Sequence, residues 1–72
     1  MSIDKIKSFI EDNMNQQINF RFNGSRNQIE EFSGKIVSMY KSVFLVKVDG
    51  VSFTKSFSYA DVLIGNLELS LQ

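Results

Sequence analysis

Apolar and polar residues alternate with a period of two along most of this chain, which is the spacing of strands that bury one face. The N-terminal segment differs, because its apolar residues recur at spacings of three and four, as on one side of an amphipathic helix. These residues are Ile3, Ile6, Phe9 and Ile10. Ser2 is a suitable N-cap and Asn13 a suitable end, so the pattern predicts a helix over residues 2–13.

Five strands are predicted after the helix, at residues 17–22, 29–40, 43–48, 51–59 and 66–71. Gly34 lies inside the second strand and predicts a bulge or a bend there. Asp49 and Gly50 are a strong signal for a two-residue turn between the third and fourth strands. Such a turn places Val46 opposite Phe53, so that both strands bury their apolar faces together.

The order of elements predicts the fold class. One helical turn, SYADVL at 58–63 with Ser58 as its cap, is expected between the fourth and fifth strands. An N-terminal α-helix and five short, bent strands indicate a mainly β fold, a small five-stranded SH3-like or Sm-like barrel. The alternative is an open antiparallel sheet backed by the helix. Residues 1–72 are predicted to form a single domain, with the helix at 1–13 and the barrel at 17–71.

Most of the aromatic rings are expected to fill the interior. Six phenylalanines fall on the predicted inner faces, namely Phe20, Phe22, Phe32, Phe44, Phe53 and Phe57. Tyr40 and Tyr59 lie near the ends of elements and are the better candidates for exposed rings, although alternation in the fourth strand places Tyr59 on its buried side with Phe57.

Composition excludes several devices that stabilise small domains. The chain has 72 residues without cysteine or histidine, so disulfides and metal sites built on thiolates or imidazoles are excluded. Because a domain of this size buries only about 60–65% of the surface of its unfolded chain, we expect a homo-oligomer. The lack of cysteine fits a reducing cytoplasm. No segment resembles a signal peptide or a membrane span, so we expect a cytoplasmic protein without membrane contact.

The side chains present do not suggest an enzyme. No histidine is available to activate a serine, and Glu30 and Glu31 are adjacent in a strand, so they point to opposite faces. The four glycines are isolated and form no phosphate-binding loop. We therefore predict no catalytic residue, no cofactor and no metal ligand.

Charge is balanced over the whole chain, with eight basic and eight acidic residues, but it is distributed unevenly. Residues 21–55 hold six basic and three acidic residues, a net charge of +3. This weak excess is typical of a mixed solvated surface, although an outer face of this kind can also bind RNA or DNA weakly. The candidate contacts to a nucleic acid or another partner are Arg21, Arg26, Lys35, Lys41 and Lys47.

A second candidate surface is apolar. Several apolar side chains in the second and third strands are expected to point outward, where they would form an interface with a protein partner or with a second copy. They are Val37, Met39, Tyr40, Val43 and Leu45. The alternative is that the N-terminal helix covers them.

Three segments resemble the Veg family, short proteins of low-GC Gram-positive bacteria linked to stimulation of biofilm formation. The segments are SVFLV at 42–46, SFSYADVL at 56–63 and LELSL at 67–71, with IDKIKSFI and FNGSR as weaker matches in the N-terminal half. The resemblance implies a small SH3-like barrel and a regulatory role tied to expression of extracellular-matrix genes. It favours a protein partner, either a transcriptional regulator or the chain itself.

The chain departs from this family in one loop. The family usually has a run of basic residues after the Asn-Gly pair, whereas here the run is NGSRNQIEE, in which only Arg26 is basic. Any contact that this loop makes to an acidic partner is expected to be weaker. The chain is also similar, less closely, to Sm-like RNA chaperones of the Hfq kind, but it has Ser-Tyr where their signature has Lys-His. The sequence thus favours a non-catalytic regulatory adaptor, with a nucleic-acid-binding barrel as the alternative.

Overall fold

The computed structural model describes residues 2–24 and 28–71 and contains one sheet and two helices. The elements are α1 (Ile3–Asp12), β1 (Ile18–Asn23), β2 (Ile29–Met39), β3 (Val43–Val48), β4 (Thr54–Ser58), α2 (Tyr59–Leu63) and β5 (Leu67–Leu71). This order confirms the predicted mainly β fold, the N-terminal helix and the helical turn before the last strand.

Helix α1 begins and ends as the sequence predicts. The Ser2 hydroxyl oxygen accepts a hydrogen bond from the backbone N–H of Lys5 at 3.3 Å. At the other end, the side-chain amide of Asn13 donates to the Phe9 carbonyl at 2.7 Å. Ile6 and Ile10 are fully buried, so the helix contributes its apolar stripe to the core.

The five strands form one antiparallel sheet in the order β4-β3-β2-β1-β5. Over the described residues β4 and β5 are not paired, so the expectation of a closed barrel is wrong and the sheet is open. The sheet is nevertheless strongly curled. The rings of Phe22 on β1 and Phe57 on β4 lie 5.4 Å apart, although β2 and β3 separate these strands. Packing between aromatic rings, and not backbone hydrogen bonding, therefore joins the two sides of the curled sheet.

Strand β2 carries the features that allow this curvature. Its register against β3 shifts between Ile36 and Ser38, so Val37 is the extra residue of a β-bulge. Gly34 has a different role from the predicted bend, because a Cβ atom there would lie closer than 3.0 Å to the carbonyl oxygen of Lys47. Glycine at this position lets the backbone of β3 approach β2 closely.

The connection between β3 and β4 differs from the predicted two-residue hairpin. Gly50 has a φ of +80°, as an Asp-Gly turn requires, but the ladder resumes only at Lys47 and Thr54. Val46 therefore lies opposite Lys55 instead of Phe53, whose side chain is 56% exposed. The longer loop shifts the register by two residues.

This shift has a physical reason in the ring cluster. It places Phe57 opposite Phe44, with ring centroids 6.1 Å apart, and brings Phe57 to within 5.9 Å of Phe32. Of the six rings predicted to lie in the interior, three are buried and two are half-buried. The prediction for the sixth, Phe53, is wrong, because its side chain is exposed. The buried rings are Phe20, Phe44 and Phe57; the half-buried ones are Phe22 and Phe32.

The two tyrosines behave differently from each other. Tyr40 is 56% exposed, as predicted, and the Tyr59 side chain is buried, as the alternation of the fourth strand predicts and unlike the alternative of an exposed ring. The Tyr59 hydroxyl donates a hydrogen bond of 2.8 Å to the carbonyl of Tyr40, and the Nζ atom of Lys7 on α1 lies 5.1 Å from its ring centre. Burial raises the pKa of Tyr59, an effect that this hydrogen bond partly offsets.

Candidate interaction surface

Two lysines lie directly opposite each other on the outer face of the sheet. Lys35 on β2 and Lys47 on β3 are cross-strand partners, and both are exposed. Like charges in this arrangement destabilise a sheet by a few tenths of a kcal/mol to about 1 kcal/mol. Because that cost is relieved when an anionic group lies between the two ammonium groups, the pair forms a local basic site.

Apolar side chains border this pair. Val37 lies two residues after Lys35 on the same outer face and is 36% exposed, and Val51 in the loop after β3 is 37% exposed. Together with the two lysines these side chains line one shallow groove, which also includes Val48, Asp49 and Gly50. We call this groove, defined by Lys35, Val37, Lys47 and Val51, the outer groove. It offers two cations beside exposed aliphatic carbon, together with the Asp49 carboxylate, which accepts a hydrogen bond from the side-chain amide of Gln17.

The apolar residues predicted for an interface do not all face outward. Val43 and Leu45 point to the outer face of β3 and are half-buried, and Tyr40 is exposed just after β2. Met39 does not share this face. The extra residue at Val37 reverses the alternation, so Met39 pairs with Phe44 and packs against the core. Over the described residues, α1 packs on α2 and on the buried core, which lies on the opposite face of the sheet from the outward set.

Arg21 lies in a different environment from the two lysines. Its cross-strand partners are Glu31 on β2 and Glu68 on β5, and its Nε atom lies 3.8 Å from a carboxylate oxygen of Glu31. The surface around Arg21 is therefore locally acidic. Polar side chains of the same three strands surround it, namely Asn19, Ser33 and Ser70.

Lys41, another of the predicted basic contacts, is also separated from the outer groove. Lys41 lies in the β2–β3 turn, six residues from Lys47 and so about 20 Å away along β3. Arg26 lies outside the described residues. Lys55 forms an ion pair with Glu30 at 3.3 Å and lies 5.1 Å from the ring centre of Phe32. Of the five predicted basic residues, the structure brings Lys35 and Lys47 together.

A second groove was missed by sequence reasoning. It lies between α1, α2 and β5, is predominantly apolar, and is lined by Phe9, Val62 and Leu69 together with Lys5. Next to it along the chain, Leu63 and Ile64 are 42% and 66% exposed. No local pattern indicates this groove, because three elements distant in sequence form it.

Metal and membrane sites can be assessed for the same part of the chain. Among residues 2–24 and 28–71, no group of three or more acidic side chains is placed to hold a metal ion. Neither described helix is long and apolar enough to cross a membrane.

Comparison with known proteins identifies the family. The search of curated proteins found no match. The model of the family described as biofilm formation stimulator VEG matches residues 1–70, nearly the whole chain, which confirms the resemblance to this family. On this match, together with the helix and five-stranded sheet, the chain belongs to the Veg family of biofilm formation stimulators.

Proposed function

We propose that this chain is a non-catalytic regulatory adaptor that acts in the cytoplasm by binding a transcriptional regulator of extracellular-matrix genes. Family membership supports a role in biofilm formation. The partner surface that fits best is the outer groove, and the observation that carries the proposal is the cross-strand pair of Lys35 and Lys47 beside exposed Val37 and Val51.

The chemistry of the outer groove defines the kind of segment it binds. A carboxylate placed between the two lysines relieves their mutual repulsion, and an adjacent apolar side chain covers the two valines. The matching segment of the regulator therefore carries an acidic residue next to an aliphatic one. The outer groove lies on the interior strands β2 and β3. The two edges of the sheet are therefore beside it and do not obstruct it.

Charge reversal tests the proposal. In cells that lack the native protein, we expect Lys35→Glu and Lys47→Glu to reduce a matrix-gene reporter and biofilm mass, and to weaken binding to the purified regulator at least ten-fold when combined. Lys41→Glu is the matched control, because it makes the same charge change about 20 Å away. Full reporter activity in the double variant at normal protein level would contradict the proposal.

Nucleic-acid binding is the alternative function, and the same lysine pair is the observation that favours it. It has less support, because Arg21 lies between two glutamates and Lys41 is remote from the pair. Two neighbouring cations give weak binding that depends strongly on salt. Titration of labelled RNA and DNA at about 50 mM salt separates the two functions, since electrostatic contacts are strongest at low salt, and we expect no detectable binding.

A further inference from the structure

The free edge of β5 has a definite hydrogen-bonding pattern. The backbone N–H of Asn23 donates to the carbonyl of Asn66 at 2.7 Å, and these residues continue the β1–β5 register. In an antiparallel ladder, pairs that exchange hydrogen bonds alternate with pairs that do not. Glu68 and Ser70 are thus bonded to β1. The backbone groups of the three leucines, Leu67, Leu69 and Leu71, point to the free edge, and no described strand pairs with them.

The apolar and polar side chains of β5 are arranged symmetrically about its central residue. The strand reads LELSL, so its pattern is the same in both directions about Leu69. The geometry points to a homodimer in which β5 pairs antiparallel with β5 of a second copy, with the two-fold axis at Leu69. This register places Leu69 opposite the partner's Leu69 and Leu67 opposite the partner's Leu71. All three leucines then exchange backbone hydrogen bonds, about six in total.

Charges on the outer face fit the same register. Glu68 lies opposite the partner's Ser70, so the two Glu68 carboxylates do not face each other. On its other side Glu68 already has Arg21 as its cross-strand partner. Each carboxylate in the joined sheet is therefore flanked by a cation and a hydroxyl group, an arrangement that favours pairing.

Apolar burial on the inner face also favours this dimer. Leu71 is 52% exposed in the single chain, and the apolar groove of Phe9, Val62 and Leu69 runs beside the same edge. Opposed residues of an antiparallel pair share a face, so the partner's leucines lie on the side of this groove. A continuous ten-stranded sheet results, with the helices of both copies on one side.

Pairing of β5 with β4 of another copy is disfavoured by the faces involved. The backbone N–H of Tyr59 donates to the Ser42 carbonyl and continues the register of the β3–β4 ladder. The backbone groups at the free edge of β4 are therefore those of Thr54, Ser56 and Ser58. Their side chains lie on the outer face, whereas the leucines of β5 face inward. Joining the two edges would oppose leucines to hydroxyl groups. The proposal is independent of the regulatory function, since it uses another face.

Proline substitution tests the register without loss of a β1–β5 hydrogen bond. In Leu71→Pro the lost N–H is one that points to the free edge, so the fold keeps its ladder while the dimer loses two hydrogen bonds. Sedimentation equilibrium of the full chain is expected to give a dimer whose Kd rises at least ten-fold in this variant. Ser56→Pro is the matched control on the β4 edge, and its Kd should equal that of the unsubstituted chain.

Two charge variants keep the test valid if the proline variant fails to fold. Ser70→Lys faces the partner's Glu68 and should lower the Kd roughly five-fold, whereas Ser70→Glu should raise it by a similar factor. Amide exchange followed by NMR should also show Leu67, Leu69 and Leu71 protected at high concentration and exposed on dilution. A monomer at all concentrations, a larger ring, or a dimer unaffected by both Ser70 variants would overturn the proposal.

Discussion

The two edge strands of this sheet have the same length and opposite chemistry. β4 and β5 each contain five residues, each pairs with one strand, and α2 connects them. The backbone groups at the free edge of β4 belong to residues with hydroxyl side chains on the outer face. Those at the free edge of β5 belong to leucines that face the core side.

The difference follows from which residues bond to the neighbouring strand. In β4 the core-facing residues Lys55 and Phe57 bond to β3, so the solvent-facing residues remain at the edge. In β5 the solvent-facing Glu68 and Ser70 bond to β1. Whether an edge strand favours pairing with another strand therefore depends on its composition and also on which of its residues, inward-facing or outward-facing, have their backbone groups at the free edge. Lys55, a charged side chain that points inward, adds a further protection at β4.

The largest expected effect distinguishes how the two edges are anchored. Phe57 contacts three rings from three other strands, whereas Leu67 is an aliphatic side chain and the only buried one among the described residues of β5. We expect Phe57→Ala to lower the free energy of unfolding by about 4 kcal/mol, and Leu67→Ala by about 3 kcal/mol. Urea denaturation at low protein concentration measures both values. A smaller loss for Phe57→Ala than for Leu67→Ala would show that the ring cluster does not anchor β4.

Gly34 offers a way to disturb the curl that brings β4 over β1. An added Cβ would meet the backbone carbonyl of Lys47, which cannot move without shifting β3, so Gly34→Ala should cost about 1–3 kcal/mol of unfolding free energy. Amide exchange should increase more in β4 than in β5, because β4 is attached through β3. Gly24→Ala is the control, since its Cβ would have ordinary contacts, and it should change stability by less than about 0.5 kcal/mol.

Tyr59, the first residue of the helix α2 that connects the two edge strands, makes the free energy of unfolding depend on pH in the alkaline range. Burial raises the pKa of Tyr59 above its ordinary value of 10.0, so the unfolded chain loses this proton first as the pH rises. The stabilisation is complete below pH 10 and declines as the pH rises through the folded-state pKa. Tyr59→Phe should remove this decline but cost about 1 kcal/mol at neutral pH through the lost hydrogen bond to Tyr40. Thermal unfolding between pH 7 and alkaline pH measures both effects, with Tyr40→Phe as the exposed control.

The strands of this fold were predictable because alternation and capping are local. Ser2, Asn13 and Ser58 mark the helix ends where the sequence predicts them. The register of the third hairpin was not predictable, because the Asp-Gly signal competes with ring packing. Phe57 packs against Phe32 and Phe22, which lie on strands distant in sequence. Because this packing sets the register of β4, Phe53 remains exposed.

The candidate surfaces were predictable only in part for the same reason. Lys35 and Lys47 were identified by charge, but their pairing depends on the register between β2 and β3. Alternation failed at Met39, since one extra residue at Val37 exchanges the two faces. The basic set appeared larger in sequence because the glutamates beside Arg21 come from two other strands.

The smallest expected effect concerns the protection of β4 by Lys55. This side chain is 34% exposed, pairs with Glu30 and lies over the ring of Phe32, so Lys55→Ala should lower the free energy of unfolding by less than about 1 kcal/mol. A double-mutant cycle with Glu30→Ala should give a coupling of a few tenths of a kcal/mol, because both groups are screened by water. The consequence for association is expected to be larger, since an edge without its inward charge accepts another strand more readily. Light scattering on heating should therefore increase in Lys55→Ala and stay unchanged in Lys47→Ala, whose lysine faces outward; equal scattering of the two would show that Lys55 does not protect the edge.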